Sequence, residues 1–487
     1  MTKIQFVDTT LRDGHTSLWA MGMKTDWILP IAKSMDSVGF DAIEIGSTPS
    51  VKKMVRELSE DPWLRIKLSR EHINQTPLRV IRGRSLAGFQ MSPRCLEELW
   101  YERLAANGAK EVRMTDASNT ASVWHDHSQM ALKNGLDMIV NLTFTLSPKH
   151  TDEYYAIKAK EASNLNIYRI CLKDPGGLLT PDRTRTLVPA ILKNIGNKLL
   201  EFHTHCNTGL GPLSCLEAIK QGIRCINAAV PPLANASSNP SVLNVAMNAR
   251  TLGYTTELNE EVLDKVSDHF MKIAIRENLP IGLPLAYEES HYLHQVPGGM
   301  ISNLKHQLKL SGIENKIDIV LDEIGKVREE FGYPIMVTPY AQFVGSQAVF
   351  NIISGERYKI IPDEVILYAL GFWGEEEANA INLNLKDRIL NSNRAKELSN
   401  WDLKEPSLSD IRKKYGGSRV SDDDLILRYL AGTEAVLEMQ KNNSISDLYL
   451  NENELIPRLI NELSKNKEIN YFQVNFGNDK FKLTVKK

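Results

Sequence analysis

Residues 167–205, IYRICLKDPGGLLTPDRTRTLVPAILKNIGNKLLEFHTH, decide the fold. IYRICLK is a short apolar run that ends in charge. A glycine-containing loop follows, then LVPAILKNIG with apolar residues at helical spacing. KLLEFHTH closes the stretch as a second apolar run ending in polar groups. Strand, helix and strand in this order are the repeating unit of an α/β fold.

The same unit recurs on both sides. IQFVDT, FDAIEIG, PLRVIRG, EVRMTDA and LDMIVNLTF precede the quoted stretch as strand candidates, and CINAAV follows it. Segments such as WILPIAKSMDSVGF, YYAIKAKEASNL and VLNVAMNARTLG supply the helical pattern between and after them. Eight such units in roughly 255 residues have the size and rhythm of a TIM (β/α)8 barrel. An open doubly wound sheet is the alternative, but eight units without a glycine-rich phosphate fingerprint favour closure.

Past about residue 290 the strand rhythm stops. MISNLKHQLKLSG, DIVLDEIGKVREEFG and AQFVGSQAVFNIIS read as helices, LNSNRAKELSNWDLKEPS as a linker, and DDDLILRYLAGTEAVLEM as helical again. The end reads as a helix, ELIPRLINELSKN, then a hairpin in which Phe472, Val474 and Phe476 alternate against Phe481, Leu483 and Val485 around Gly-Asn-Asp. The expected organisation is a barrel over 1–290, a mainly helical C-terminal domain over 291–440, and a small helix-plus-hairpin module over 441–487.

Composition narrows the function. With 487 residues, 42% hydrophobic and 24% charged, and a net charge of −2, the chain lacks the cationic excess that nucleic acid or anionic membrane binding needs. Five scattered cysteines without a C-x-x-C pair fit reduced thiols in a cytoplasmic protein. The N-terminus enters a strand directly, which is unlike a signal or transit peptide, and no apolar run reaches membrane-spanning length.

Barrel enzymes place their chemistry at the carboxyl ends of the strands. Those ends carry Arg12 and Asp13, Arg82 and Arg84, Asp116, Lys173 and Asp174, and His203, Thr204 and His205. His203 and His205 are two apart on a strand, so their imidazoles share a face and, with Asp13, can hold a divalent ion. The competing reading has both histidines hydrogen-bonding within the barrel mouth. Lys173 beside a metal must be neutral or a carbamate, whereas on residue type alone a salt bridge to a neighbouring acid is the readier reading. Arg12 and Arg82 can fork onto a substrate carboxylate or bridge barrel acids. Ser237 and Ser238 can relay a proton or cap a turn. His15 reads as loop support.

In order along the chain, DTTLRDGHTSLWAMGMKT (8–25), RGRSLAGF (82–89), LKDPGGLLTP (172–181), EFHTHCNTGLGP (201–212), PLANASSNP (232–240), QVPGGMISNL (295–304), KVREEFGYPIMVTP (326–339) and GERYK (355–359) carry a resemblance. They resemble the carboxyltransferase part of pyruvate carboxylase, the oxaloacetate decarboxylase α chain and the transcarboxylase core subunit, over about residues 4–440. HMG-CoA lyase-type metal lyases and aldolases are the broader relatives. The resemblance implies that Asp13, His203, His205 and a carboxylated Lys173 hold a metal: zinc first, then manganese or cobalt. It implies that Arg82 binds the carboxylate of a small oxo acid, that Arg12 stabilises the enolate oxygen, and that Ser237 shuttles a proton.

The departures cluster around the substrate. The family's glutamine is Thr16 here, its tryptophan Gly46, an acidic position Lys52, and a pocket tyrosine Phe89. TDASNT (115–120), with Asp116, replaces the usual F-D-A-L-N-D, and SSNP replaces T-S-Q-P. A different acceptor, or altered use of biotin, is the implication. AMGMKT (20–25) looks like a biotinylation motif but aligns with a barrel loop. The C-terminal helix and hairpin resemble the segment that precedes a biotinyl domain. Biotin is therefore expected on a separate carrier protein, with a biotin carboxylase as further partner and a homodimer as the assembly. The alternatives are a biotin-independent metal decarboxylase, lyase or aldolase, and a non-catalytic scaffold subunit of a carboxylase complex.

Overall fold

The structure, a computed structural model, describes residues 2–88, 90–296, 304, 308, 314–399, 405–442, 471–476 and 479–484. Eight parallel strands form its centre: β1 (Lys3–Asp8), β2 (Ala42–Ser47), β3 (Leu78–Gly83), β4 (Glu111–Thr115), β5 (Asp137–Thr143), β6 (Arg169–Asp174), β7 (Leu199–Thr204) and β8 (Cys225–Ala228). Each pairs with the next, β8 pairs with β1, and Val7 and Asp8 of β1 pair with Ala42 and Ile43 of β2. The barrel is closed. A short β9 (Thr255–Thr256) pairs with Lys3 and Ile4, before β1 meets β2.

All eight expected strands are present, and the reason is physical. Parallel strands covered by helices are buried on both faces, so they read as apolar runs. The helices that cover them start on recognisable signals. Asp61 accepts from the backbone N–H groups of Trp63 and Leu64 with Pro62 in the first turn, and Thr180 accepts from Arg183 N with Pro181 in the first turn.

The amino ends of the strands are closed by charge. Buried Arg79 pairs with Glu201 and Glu111, each at 2.7 Å, and Arg169 reaches Glu201 at 3.2 Å. Buried charges are tolerated here because each has a partner. The carboxyl ends of the strands are left for the site.

The helical region lies over that carboxyl end. Helices Ile317–Glu330, Tyr340–Ser354 and Asp363–Ala369 share a core of Val320, Ile324, Phe331, Tyr340, Phe343, Tyr368 and Trp373. Tyr340 Oη hydrogen-bonds Ser118 Oγ, and Arg328 Nη2 donates to Thr145 Oγ1 at 3.0 Å and to the Leu146 carbonyl at 2.8 Å. Helices Leu408–Tyr415, Asp422–Ala431 and Thr433–Lys441 instead share the barrel's own core cluster.

One expectation is corrected. The stretch read as a linker contains a helix, Asn393–Ser399, whose Ala395 is buried in the helical region's core. Its charged sequence hides two apolar contacts, buried Ala395 and partly buried Leu398. The hairpin is present, with Tyr471–Phe476 antiparallel to Asp479–Thr484. The expected helix ELIPRLINELSKN lies outside the described residues, as does nearly all of MISNLKHQLKLSG. No helix among the described residues is long and apolar enough to cross a membrane.

Candidate active site

Directly after β1 the chain makes one wide turn of π-helix, Thr10–Gly14, a form that often marks functional positions. It carries Arg12 and Asp13 into the barrel mouth, where both are buried. Lys173 and His203 are register partners on β6 and β7, and His205 follows two residues on. The loop after β6 presses against the histidines. Gly177 has φ +65°, and a β-carbon there would lie 2.6 Å from the His205 carbonyl oxygen, so only glycine fits.

Three ligand-type atoms converge. Asp13 Oδ2 lies 3.1 Å from His203 Nε2 and 3.4 Å from His205 Nε2, and the two nitrogens are 3.4 Å apart. A tetrahedral ion with bonds of ~2.1 Å would hold its ligands roughly 3.4 Å from one another. The spacing fits a divalent metal. So do the charge states. Burial alone would raise the Asp13 carboxyl, but Arg12 first, then the two imidazoles, hold it well below the usual carboxylate range. Burial, and then the Arg113 guanidinium, keep His203 far below its ordinary value and therefore neutral, the form that ligates. Asp13 Oδ2 is buried with no hydrogen-bond partner of good geometry, although Arg12 Nη1 stands 2.7 Å away.

The far nitrogens of both rings are held. His205 Nδ1 lies 2.7 Å from the Ser237 carbonyl oxygen, to which it can donate, leaving Nε2 free for a metal. His203 Nδ1 lies 3.1 Å from Asn227 Oδ1, and Asn227 is itself held by Arg113 Nη1. Partners of this kind fix ring orientation at metal sites. Glu44 completes the frame by accepting from Arg12 Nε at 2.8 Å while lying 2.7 Å from Arg113 Nη2. Asn239 donates to the Thr204 carbonyl at 2.8 Å and accepts from Thr9 Oγ1 at 2.7 Å, tying the loop after β8 to β7 and β1.

Above this floor lies a cleft of about 320 Å³ whose lining includes Arg12, Thr16, Arg82, Asp116 and Lys173, roofed by Val337, Pro339, Gln342 and Trp373 of the helical region. The cleft therefore brings together seven of the residues singled out in the sequence, Lys52 and Arg84 among them. Lys173 is buried, and its hydrogen bond runs from Nζ to Thr115 Oγ1 at 3.3 Å. Burial, then Arg12 and Arg113, bring its amine down to about 8. No acid lies within ion-pair distance of it among the described residues, so the salt-bridge reading of Lys173 does not hold there.

Arg82 pairs with Glu97 at 2.5 Å and packs against the rings of Trp100 and Tyr101, yet its Nη1 is buried without a partner. Thr16 Oγ1 donates to the Arg12 carbonyl at 2.6 Å. Asp116 Oδ2 accepts from Thr120 N at 2.7 Å. Ser237 is not part of the cleft lining, and its hydroxyl donates to the Ser17 carbonyl at 3.1 Å. Phe89 lies outside the described residues. Buried His15 is held neutral, its value brought down to about 3 by burial and then Arg65 and Arg12.

Glu44, Arg113, Asn227 and Asn239 are the site residues that sequence reading missed. The only available signal was a charge inside an apolar strand, as in AIEIG and EVRMT. A second acidic cluster, Asp41, Glu201 and Cys225, has the spacing of a metal site, but the Arg169 guanidinium already occupies it.

Residues 292–481 match the family described as conserved carboxylase domain, and residues 108–269 match the HMGL-like family. The chain is 36% identical over 389 residues to a pyruvate carboxylase subunit of Methanocaldococcus jannaschii, covering 80% of this chain and 68% of that one. It is 30% identical over 379 residues to the methylmalonyl-CoA carboxyltransferase 5S subunit of Propionibacterium freudenreichii subsp. shermanii, covering 77% and 75%. The carboxyl transferase domain of Rhizobium etli pyruvate carboxylase, solved with pyruvate, superposes with a TM-score of 0.80 at 22% identity, covering 92% of this chain and 78% of that one.

Proposed function

The chain belongs to the biotin-dependent carboxyltransferase family that includes the archaeal pyruvate carboxylase subunit and the 5S subunit, and on that premise we propose that it moves a carboxyl group between carboxybiotin and a small 2-oxo acid. The observation that carries this reading is the convergence of Asp13, His203 and His205 beneath a cleft lined by Arg12, Arg82 and Lys173.

Asp13, His203 and His205, with Lys173 as its carbamate, would hold a divalent ion. Two imidazoles and a carboxylate suit zinc, with manganese or cobalt as the alternatives. Such an ion supplies Lewis-acid polarisation of a 2-oxo group. The rest falls to the chain's own side chains. Arg82 offers Nη1 to the substrate carboxylate, with Thr16 and Asp116 on the same cleft wall and Phe89 assigned there by resemblance. Arg12, fixed by Asp13 and Glu44, stands where the enolate oxygen develops charge. Ser237 is the hydroxyl proposed to carry the proton that leaves the acceptor carbon.

Biotin is proposed to arrive on a separate carrier protein, charged by a biotin carboxylase. The relatives' names as subunits support this. The chain is taken to act as a homodimer in the cytoplasm, where its five free thiols stay reduced. The HMGL-like match favours, as second reading, a biotin-independent lyase or decarboxylase working through the same enolate.

One experiment separates them. The purified chain is assayed on 2-oxo acids with and without a biotinylated carrier, in the presence and absence of avidin. Carrier-dependent, avidin-sensitive turnover supports carboxyl transfer. Turnover by the chain alone that avidin does not touch assigns it to the second reading.

A further inference from the structure

The cleft holds more positive charge than a monocarboxylate uses. Apart from Lys173, whose carbamate would be negative, its lining carries the cations Arg12, Lys52, Arg82 and Arg84 against one acid, Asp116. Most of these are accounted for. Arg12 is matched by Asp13 and Glu44, and Arg82 by Glu97. Arg84 Nη1 sits 2.5 Å from the Trp373 carbonyl oxygen and 3.8 Å from Asp116. Lys173 stands at the metal-type cluster, hydrogen-bonded to Thr115.

Lys52 is different. It lies on the helix Val51–Arg56 that follows β2, is exposed, and lines the cleft with no acid within ion-pair distance among the described residues. The loop after β3, which carries Arg84, is its neighbour because β2 and β3 pair in register, Ser47 against Ile81. Hydroxyl-bearing Ser47 and Thr48 line the same wall.

We propose that the acceptor is a 2-oxo dicarboxylate, read at two places. Its first carboxylate takes the free Nη1 of Arg82, and its distal carboxylate is met at the rim by Lys52, with Arg84 behind it. A carboxylate placed there removes the uncompensated charge of Lys52 and gains charge-assisted hydrogen bonds. A monocarboxylate of equal length leaves that charge unmet and puts an alkyl end against it. This inference rests on the carboxyl-transfer reading and adds the substrate class to it.

The test compares 2-oxoglutarate with 2-oxovalerate, which has the same carbon chain without the distal carboxylate. Holoenzyme with carboxylated carrier is assayed, in wild type and in Lys52→Gln, and kcat/KM is measured for each acid. The expected result is a preference of at least tenfold for 2-oxoglutarate, cut about tenfold by Lys52→Gln and reversed in sign by Lys52→Glu. Equal rates on the two acids, or a ratio that Lys52→Gln leaves unmoved, overturn the dicarboxylate proposal while carboxyl transfer stands. Equal loss on both acids overturns it too, and assigns Lys52 to carrier docking. Carrier-independent turnover, or none of either acid, sinks the carboxyl-transfer reading and the dicarboxylate proposal together.

Discussion

Lys173 and His203 stand side by side in register at the carboxyl ends of β6 and β7, so the buried amine adjoins the imidazole that faces Asp13. An ammonium there would repel a metal. The barrel instead makes the amine easy to neutralise, through burial first and then through Arg12 and Arg113, and a neutral amine is the form that adds CO2 to give a carbamate.

Carbamate formation is therefore the first prediction. With its value brought from 10.5 to about 8, the amine is neutral on the order of a hundredfold more often at pH 7 than an ordinary lysine. Enzyme stripped of metal and CO2 should regain activity when zinc and bicarbonate are added together, and faster as the pH rises from 7 to 9. Lys173→Arg should not recover. The same shift fixes a sign for the stability of the metal-free protein. The unfolded chain holds the proton more tightly than the folded one, so stability should rise between pH 8 and 10.5. A melting temperature that stays flat or falls over that window because of Lys173 would contradict the burial argument.

Asn227 gives the second. It lies within reach of His203 Nδ1 at 3.1 Å while being held by Arg113, so it sets the ring whose Nε2 is the proposed metal ligand. Asn227→Leu should weaken metal affinity by roughly 10–100-fold, the usual cost of losing such a support. Competition with a chelator of known affinity measures it. Saturating metal should restore most of the turnover, which separates a positioning role from a collapsed barrel.

How much of this was legible follows from where each residue gets its partners. The strands were, because burial on both faces makes each an apolar run with a polar end. The pair His203 and His205 was, because a spacing of two on a strand fixes a shared face. Asp13 and Lys173 sit at strand ends, where polar groups stand out against apolar runs. Glu44 and Arg113 were not legible. Each is a charge within an apolar strand, and its meaning comes from Arg12 and Asn227, which the barrel brings from distant parts of the chain. Lys52 was marked only by the resemblance, which has an acidic residue at its position; by residue type an exposed lysine early in a helix looks like any other until the cleft is seen to include it. Asn393–Ser399 read as linker because one buried alanine and one partly buried leucine are too small a mark to betray a helix.

Arg82 supplies the third prediction. Its Nη2 is committed to Glu97, while Nη1 is buried with no hydrogen-bond partner and is the donor proposed for the substrate. Truncation to alanine would leave Glu97 buried and unpaired, at a cost of about 3–5 kcal/mol, and would confuse folding with binding. Arg82→Lys keeps a charge for Glu97 but loses the second donor. A charge-assisted hydrogen bond contributes about 1.5–3 kcal/mol. KM for the oxo acid should therefore rise about 10–100-fold, with a smaller change in kcat and little change in melting temperature. An unchanged KM would remove Arg82 from substrate binding.

Ser237 separates two roles that one residue holds at once. Its carbonyl oxygen accepts from His205 Nδ1, and a substitution of the side chain leaves that carbonyl in place. Its hydroxyl donates to the Ser17 carbonyl and so is oriented with an oxygen lone pair free to accept a proton. Ser237→Ala should bind metal as wild type does, because His205 is still held. If the hydroxyl carries the proton, kcat should fall by roughly 10²–10⁴-fold, the range general acid–base groups supply. Ser237→Thr, which keeps the hydroxyl, should recover most of it. Should Ser237→Ala instead lose metal while kcat per bound ion stays unchanged, the hydroxyl serves only to anchor the loop through Ser17. The proton would then have to pass through another group, and buried Ser238, whose Oγ has no hydrogen-bond partner, is the next to test.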